Sequence, residues 1–323
     1  MRWFRVVGPS TAAAARSAAA AMARRLGFPA RRADELVVAV SEAASNLDKH
    51  ARDGSLLIQA CFDRDVAGIE LVTIDVGPGI ADVRAAARDG HSTAGSLGVG
   101  LGAIRRIADF AELFSMLGRG TALVARFWPE PRTPDLRCAG LIRPINGETE
   151  SGDAFAALVA GDVLTGVLCD GLGHGPLAAA AAREALAAVL ENPEGEPAAL
   201  LRRAHERMGH TRGGAVAIAQ AEGSVVRFAG LGNVAAWILS NDTRSGLPSV
   251  PGIAGHQARS IRQFEYSLPA GASIVLHSDG LSSRWDVRDL PGLAALDPLV
   301  ISAALLAEAG AHRDDASVLV LKS

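Results

Sequence analysis

The sequence predicts an α+β protein built from two domains of ordinary size. With 323 residues, the chain is long for a single domain. Its first part mixes helical and strand patterns, whereas its second part has many strand-like runs and few long helices. A charged stretch with three prolines, WPEPRTPDLR at 128–137, separates the two patterns. We therefore expect domains at 1–130 and 138–323, joined by a linker at 131–137.

Composition excludes several classes of protein. A net charge of −3 and 4% aromatic residues argue against nucleic-acid binding. The three cysteines are far apart in sequence, which fits a reducing cytoplasm and excludes a disulfide framework or a CxxC zinc site. No apolar run approaches the roughly 18–20 residues that span a bilayer. We expect a cytoplasmic protein that binds neither nucleic acid nor membrane.

The first part reads as helices, then strands, then a helix and a closing strand. Caps, alanine content and apolar spacing predict helices at 10–26, 33–49 and 101–113, and a short helical piece at 81–88. Apolar runs predict strands at 56–62, 69–75 and 120–128. This order favours a sheet with its helices on one face.

The second part reads as two packed antiparallel sheets flanked by helices. Helical patterns fill 176–190, 196–208 and 298–309. Strand-like runs occur at 138–145, 154–160, 163–169, 215–220, 224–229, 234–239, 273–277 and 316–321.

Three motifs of the first part point to a nucleotide site. In AVSEAASNLDKHA (39–51), a polar stripe runs along a helix, although alone it would be a solvated face. IDVGPGI (74–80) places an aspartate before a Gly-Pro-Gly turn, and GSLGVGLGAIRRIAD (95–109) leads a glycine-rich loop into a helix. Backbone N–H groups and a helix N-terminus of that kind suit phosphate. GVGLGA (98–103) lacks the preceding strand of a dinucleotide fingerprint, and the chain has no P-loop motif.

This ordered set resembles the GHKL ATP-binding fold, and most closely the RsbT type of serine/threonine switch kinase, over nearly all of 12–128. The resemblance implies ATP with magnesium as the cofactor. Asn46 would ligate the magnesium, Glu42 would position or deprotonate the attacking hydroxyl, and Asp75 would accept from the adenine amino group. The other residues implied in the nucleotide site are Lys49, His50, Gly77, Gly79, Gly98, Gly100 and Gly102.

Aspartates of the second part recur at the edges of apolar, strand-like runs. They are Asp153 in ESGDAF, Asp170 in LTGVLCDGLGHGPLA, Asp279 in LHSDGLS, and Asp314 with Asp315 in HRDDASVLVL. Each alone would be an ordinary turn or cap residue. Together, at the strand edges of one sandwich, they can converge, and divalent cations would then relieve their repulsion. Oxygen-only ligands suit magnesium or manganese.

The order of these motifs resembles the metal-dependent protein phosphatases of the SpoIIE/RsbX branch, over about 138–323. The resemblance implies two manganese or magnesium ions. Asp170 would bridge them, the Gly171 carbonyl would join one, and Asp279 and Asp314 would hold the second. Asp153 would bind metal or orient the attacking water. His174 is open between a general acid and a turn residue.

These resemblances together imply a bifunctional switch enzyme. Its N-terminal domain would phosphorylate Ser/Thr of a STAS-domain antagonist protein, and its C-terminal domain would remove the phosphate, in a stressosome-like partner-switching or stress-signalling pathway. One alternative is a phosphatase whose ATP-binding domain only senses nucleotide. Another is an anti-sigma-like module that sequesters its partner.

Overall fold

The chain divides into two compact units, Met1–Leu136 and Arg137–Ser323, and the predicted linker lies at their boundary. The structure is a computed structural model. It describes residues 2–63, 65–83, 100–134, 136–145, 148–241, 243–310 and 313–322.

The first unit is one antiparallel sheet with helices on one face. The helices are α1 (Pro9–Arg25), α2 (Ala30–His50) and α3 (Gly100–Ile107). The strands are β1 (Arg2–Arg5), β2 (Ser55–Asp63), β3 (Val66–Asp75), β4 (Phe110–Met116) and β5 (Gly120–Phe127). In the sheet they run in the order β1-β2-β3-β5-β4.

The core of this unit explains why the helices share a face. Alternate residues along the strands, such as Leu56 and Ile58 of β2, point into one apolar cluster. The apolar stripe of α2, including Leu36 and Val40, packs into the same cluster. The polar side of α2 therefore takes no part in this apolar core.

The helix predicted at 101–113 is wrong in its second half. The helix ends at Ile107, and Phe110–Met116 forms edge strand β4 against β5. Asp109 turns the chain at this point, since its carboxylate accepts from Arg32 at 2.5 Å and from the Trp128 N–H at 2.8 Å. Pairing with β5 therefore overrides local helical spacing. The short piece predicted at 81–88 falls largely outside the described residues, and the edge strand β1 had not been predicted.

The second unit contains two five-stranded antiparallel sheets. Its helices are α4 (Pro176–Leu190), α5 (Pro197–Arg207) and α6 (Pro298–Ala309). The longer strands are β6 (Cys138–Arg143), β7 (Asp153–Ala160), β8 (Val163–Gly171), β9 (Gly214–Glu222), β10 (Val225–Leu231), β11 (Ala235–Leu239), β16 (Ser273–His277) and β17 (Ala316–Lys322). The short strands, which had not been predicted, are β12 (Arg244–Leu247), β13 (Gly252–Ile253), β14 (Gln257–Ala258) and β15 (Phe264–Ser267). The strand orders of the two sheets are β15-β10-β9-β8-β7 and β12-β11-β16-β17-β6.

Apolar residues hold this unit together in layers. Leu164 and Leu168 of β8 meet Leu276 and Leu319 of the other sheet in one buried cluster. On the outer face of the β8 sheet, α4 and α5 bury their alanine-rich and leucine-rich sides in a second cluster. The predicted architecture, two packed sheets with helices outside, is confirmed. No helix among the described residues has both the length and the apolarity of a bilayer span.

Candidate active sites

The polar side of α2 and the start of α3 meet in the first unit. A Cβ placed on Gly100 would lie 3.0 Å from Oδ1 and 3.1 Å from Nδ2 of Asn46, and 3.3 Å from Oε2 of Glu42. The structure therefore brings three predicted site residues together through a backbone that has no side chain in the way. The Asn46 amide nitrogen is buried and has no hydrogen-bond partner among the described residues. A buried, unpaired amide beside a carboxylate suits a polar ligand better than a core position.

A second cluster forms around the end of β3. The Asp75 carboxylate accepts from the Gly77 N–H at 2.7 Å, and burial raises the pKa of Asp75. A Cβ on Gly77 would lie 2.7 Å from that same carboxylate and 3.1 Å from the His50 carbonyl. Gly79 has a φ of 72°, and a side chain there would collide with the Met116 carbonyl. Gly79 therefore has to be glycine, and a side chain at Gly77 would displace the Asp75 carboxylate from its place beside this turn.

The remaining predicted nucleotide residues are less constrained. Lys49 and His50 have exposed side chains on the last turn of α2, and none of the described residues forms a hydrogen bond with either side chain. Gly102 is buried within α3. Gly98 lies outside the described residues. The roles of these residues remain predictions.

Thr121 is a polar neighbour of Asp75 that sequence reasoning missed. It lies directly across from Asp75 in the β3–β5 ladder. Its hydroxyl is 2.8 Å from that of Ser115, which in turn accepts from the Ile80 N–H at 2.8 Å. Only strand pairing brings these residues together, so no local motif could have identified them.

The strand ends of the second unit gather carboxylates. Asp153 opens β7 and lies directly opposite Asp170 near the end of β8. Asp279 follows β16, and Asp314 precedes β17, and these two strands are neighbours in the facing sheet. Asp153 is 5% exposed, and its Oδ2 has no hydrogen-bond partner among the described residues.

These carboxylates raise the pKa values of one another. Burial raises the pKa of Asp170, and the charges of Asp153, Asp279 and Asp314 raise it further. Burial also raises the pKa of Asp153, while the nearby hydroxyls of Ser278 and Ser317 offset part of the effect. Burial and the Asp314 charge raise the pKa of Asp279. A cluster that retains protons in this way is costly to ionise without a cation.

The donor set fits hard divalent cations, because all its ligands are oxygens and one buried carboxylate oxygen is unpaired. Among the described residues, no three His, Cys, Asp or Glu side chains already form a compact set around a metal position.

Gly171 occupies a position that only glycine can fill. Its N–H donates to the Gly152 carbonyl at 3.1 Å. A Cβ there would collide with the Ala178 carbonyl and lie 2.8 Å from the Gly152 carbonyl. The bare turn after Asp170 thus lets α4 and the start of β7 pack closely around the aspartates.

His174 lies in this turn but pairs outward. Its Nδ1 is 3.3 Å from Oε1 of Glu148, and both side chains are well exposed. This contact gives His174 a surface partner, and its role as a general acid stays a prediction.

Supporting residues around the aspartates include several that sequence reasoning did not assign. Asp315 is buried and accepts from the N–H groups of Ile145 at 2.7 Å and Gly152 at 2.6 Å. Asp315 thereby anchors the segment that leads into Asp153. Asn233 donates to the Asp279 carboxylate. The adjacent Asp-Asp pair was visible in the sequence, but nothing there indicated which aspartate is structural.

His277 holds the segment that leads into Asp279. It is fully buried, and burial lowers its pKa. Its Nε2 lies 3.1 Å from the Trp237 indole N–H, which can only donate, so Nδ1 carries the proton and donates to the Ser278 carbonyl at 2.8 Å. A neutral imidazole in one tautomer therefore orients the backbone that enters Asp279.

These two arrangements define a class of protein: an ATPase-type kinase unit followed by a metal-dependent phosphatase unit. Residues 7–127 match the histidine kinase-like ATPase domain family, and residues 161–323 match the Stage II sporulation protein E (SpoIIE) family. The chain belongs to the SpoIIE family through its second unit, and through its first unit to the family of the serine/threonine-protein kinase RsbT.

Similar proteins support the family assignment of both units. The serine/threonine-protein kinase RsbT of Bacillus subtilis (strain 168) is 37% identical over 115 residues, which are 36% of this chain and 86% of RsbT. A solved structure described as "The bacterial stressosome: a modular system that has been adapted to control secondary messenger signaling" is 26% identical, with a TM-score of 0.52, and the match covers 57% of this chain and 97% of that one.

The fold is shared with a solved structure of RsbX in complex with magnesium. That chain is 19% identical, with a TM-score of 0.51, and the match covers 58% of this chain and 94% of that one. The predicted resemblance to RsbT-type kinases and SpoIIE/RsbX-type phosphatases is therefore confirmed. The chain is an enzyme with a serine/threonine kinase domain and a serine/threonine phosphatase domain.

Proposed function

We propose that this protein is a bifunctional switch enzyme that phosphorylates and dephosphorylates Ser/Thr of a STAS-domain regulatory protein. The observation that carries the proposal is the presence of both sites in one chain. Asn46 and Glu42 face Gly100 in one unit, and four aspartates converge from two sheets in the other. A pure binding module needs neither arrangement.

In the first unit, the protein's task is positioning. Asn46 would hold magnesium between the phosphates of ATP, and Asp75 would receive the adenine amino group. Glu42 would orient the hydroxyl of the protein substrate and accept its proton. The unsubstituted backbone at Gly100 leaves room for phosphate beside both side chains. Phosphoryl transfer depends mainly on such placement.

In the second unit, the aspartates would hold two manganese or magnesium ions. Asp170 would hold both ions, the Gly171 carbonyl would join one of them, and Asp279 and Asp314 would hold the second. The ions would supply charge neutralisation and an activated water for in-line attack on phosphorus. Asp153 is buried, and one of its carboxylate oxygens has no partner among the described residues, so it would bind metal or orient that water. Asp315 supports the segment that leads into Asp153, and His277 supports the segment that leads into Asp279.

The partner assignment rests on relatives. RsbT is a serine/threonine-protein kinase, and a structural neighbour is associated with the stressosome. We therefore place this enzyme in a stressosome-like partner-switching system whose antagonist carries a STAS domain.

The experiment incubates the Asp170→Asn variant with γ-labelled ATP, magnesium and purified STAS-domain proteins, with Asp162→Asn as the matched control. Asp162 lies in an exposed turn at the far end of β8. We expect label on a STAS serine or threonine with Asp170→Asn, and removal of that label by the unaltered protein with manganese.

Two results would redirect the proposal. Measurable ATP binding without label in any mixture would make the first unit a nucleotide sensor and leave the phosphatase alone. A stoichiometric complex that survives both Asp170→Asn and Glu42→Gln, with no transfer in either direction, would support the sequestering module.

A further inference from the structure

An unpaired guanidinium lies beside the glycine turn that follows Asp170. Nη1 of Arg212 is 3.4 Å from the position that a Cβ on Gly173 would occupy. Arg212 is exposed and forms no hydrogen bond or ion pair with the other described residues. By contrast, Arg183, Arg207 and Arg227 of the same unit all pair with glutamates. A cation beside the turn that follows Asp170, with no partner among the described residues, calls for an explanation.

The backbone fixes Arg212 at this edge of the sheet. The Gly213 carbonyl accepts from the Leu172 N–H at 3.0 Å, and the Gly213 N–H donates to the Thr211 hydroxyl at 3.0 Å. The next residue, Gly214, pairs with Gly171 in the β8–β9 ladder. Arg212 is therefore tied on its C-terminal side to the segment that carries Asp170.

The same turn contacts the start of β7. The Gly173 carbonyl lies 3.1 Å from the position of a Cβ on Gly152, which immediately precedes Asp153. Arg212, Gly173 and Gly152 thus form a short path of contacts from the guanidinium to the two aspartates. Because Gly173 has no side chain, the space beside the Arg212 guanidinium is left open to a ligand.

A phosphate monoester is the ligand that suits this arrangement. A guanidinium presents a planar fork of donors that matches phosphate oxygens, and it keeps its charge at all relevant pH values. The aspartates and the cations that they hold would place the phosphate group in the site. They have no hydrogen-bond donor for the phosphate oxygens that point away from the cations. Arg212, which has no partner among the described residues, supplies that donor at the edge of the site.

We infer that Arg212 binds the phosphate oxygens of the phosphoserine or phosphothreonine substrate at the phosphatase site. This inference rests on the proposed phosphatase function. Arg212 is a substrate-binding residue and takes no part in holding the metals.

The test compares Arg212→Ala and Arg212→Lys with the control Arg202→Ala. Arg202 is an exposed arginine on α5 that also lacks a partner among the described residues. Two quantities are measured on manganese-loaded full-length protein: KM and kcat for a phosphoserine peptide, and the affinity for inorganic phosphate by calorimetry. A manganese titration and a thermal melt accompany each variant.

For Arg212→Ala we expect the KM to rise and the phosphate affinity to fall by about tenfold or more, the effect of one charge-assisted hydrogen bond. Arg212→Lys restores part of both losses, and Arg202→Ala changes neither. Manganese affinity and melting temperature stay at the wild-type values. Unchanged KM and unchanged phosphate affinity in Arg212→Ala would overturn the inference.

Failure of the proposed function gives a different pattern. Wild-type protein that hydrolyses no phosphopeptide would overturn that function. The calorimetric phosphate titration would then still decide whether Arg212 binds phosphate, because it requires no turnover.

Discussion

Asp153 and Asp170 lie directly opposite each other across the β7–β8 ladder, so two acidic side chains share one face of the sheet at its edge. Opposed like charges destabilise a ladder, and here both members also have a raised pKa. A chain that tolerates this arrangement retains it for function rather than for stability.

Replacing Asp170 separates its contribution to activity from its effect on stability. We expect Asp170→Asn to lower metal-dependent phosphatase activity by about 100-fold or more, since even indirect supports of metal ligands cost 10–100-fold. The same change should raise the melting temperature of the metal-free protein at neutral pH, because folding then no longer requires the uptake of a proton at this position. Phosphopeptide hydrolysis and thermal melts measure the two effects. Full activity in Asp170→Asn would contradict the assigned role.

The raised pKa values also predict how stability varies with pH. The folded protein retains protons on Asp153 and Asp170 that the unfolded chain releases above about pH 4. Stability of the metal-free protein therefore falls as the pH rises through this window, until the folded carboxyls have also ionised. Urea unfolding after chelation, between about pH 5 and 8, measures the slope. Manganese should reverse it, because metal ligands must be deprotonated.

Replacing Asp314 should mainly lower activity, whereas replacing its neighbour Asp315 should mainly lower stability. Asp315→Ala leaves the Ile145 and Gly152 N–H groups without their acceptor and should cost about 3 kcal/mol of unfolding free energy. Asp314→Ala removes an exposed carboxylate and should cost activity and manganese affinity with a much smaller change in stability. Denaturant unfolding and manganese titration on both variants check this contrast. Equal destabilisation would show that both aspartates are structural.

The first unit offers a similar separation between binding and chemistry. Asn46→Ala should abolish magnesium-dependent ATP binding, because the buried amide beside Gly100 is lost. Glu42→Gln should retain ATP binding and lose phosphoryl transfer by about 100-fold or more, the usual contribution of a general base. Fluorescent-nucleotide binding and transfer of label measure the two properties. Transfer that persists in Glu42→Gln would make Glu42 dispensable.

His277 should act only through the position of Asp279. His277→Phe removes both the bond from Trp237 and the bond to the Ser278 carbonyl. We expect manganese affinity to fall by about 10–100-fold, the usual cost of losing a residue that supports a metal ligand. His277→Asn, which can still donate to a carbonyl, should recover part of the loss. Unchanged manganese affinity in His277→Phe would refute this positioning role.

The sequence by itself determined the two-part organisation, the main helices and strands, and the candidate residues on α2 and at the strand ends. It could do so because these features depend on local patterns: apolar periodicity, glycine turns and carboxylates at the ends of apolar runs. For the same reason it failed at Phe110–Met116, where pairing with β5 decides the conformation.

Only the tertiary structure decided how those residues act together. Asp315 rather than Asp314 became the buried anchor, Thr121 came to lie across from Asp75, His277 took one tautomer, and Arg212 reached the turn at Gly173. Each of these outcomes depends on contacts between residues far apart along the chain. Strand register and burial set such contacts, and a local pattern carries no information about either one.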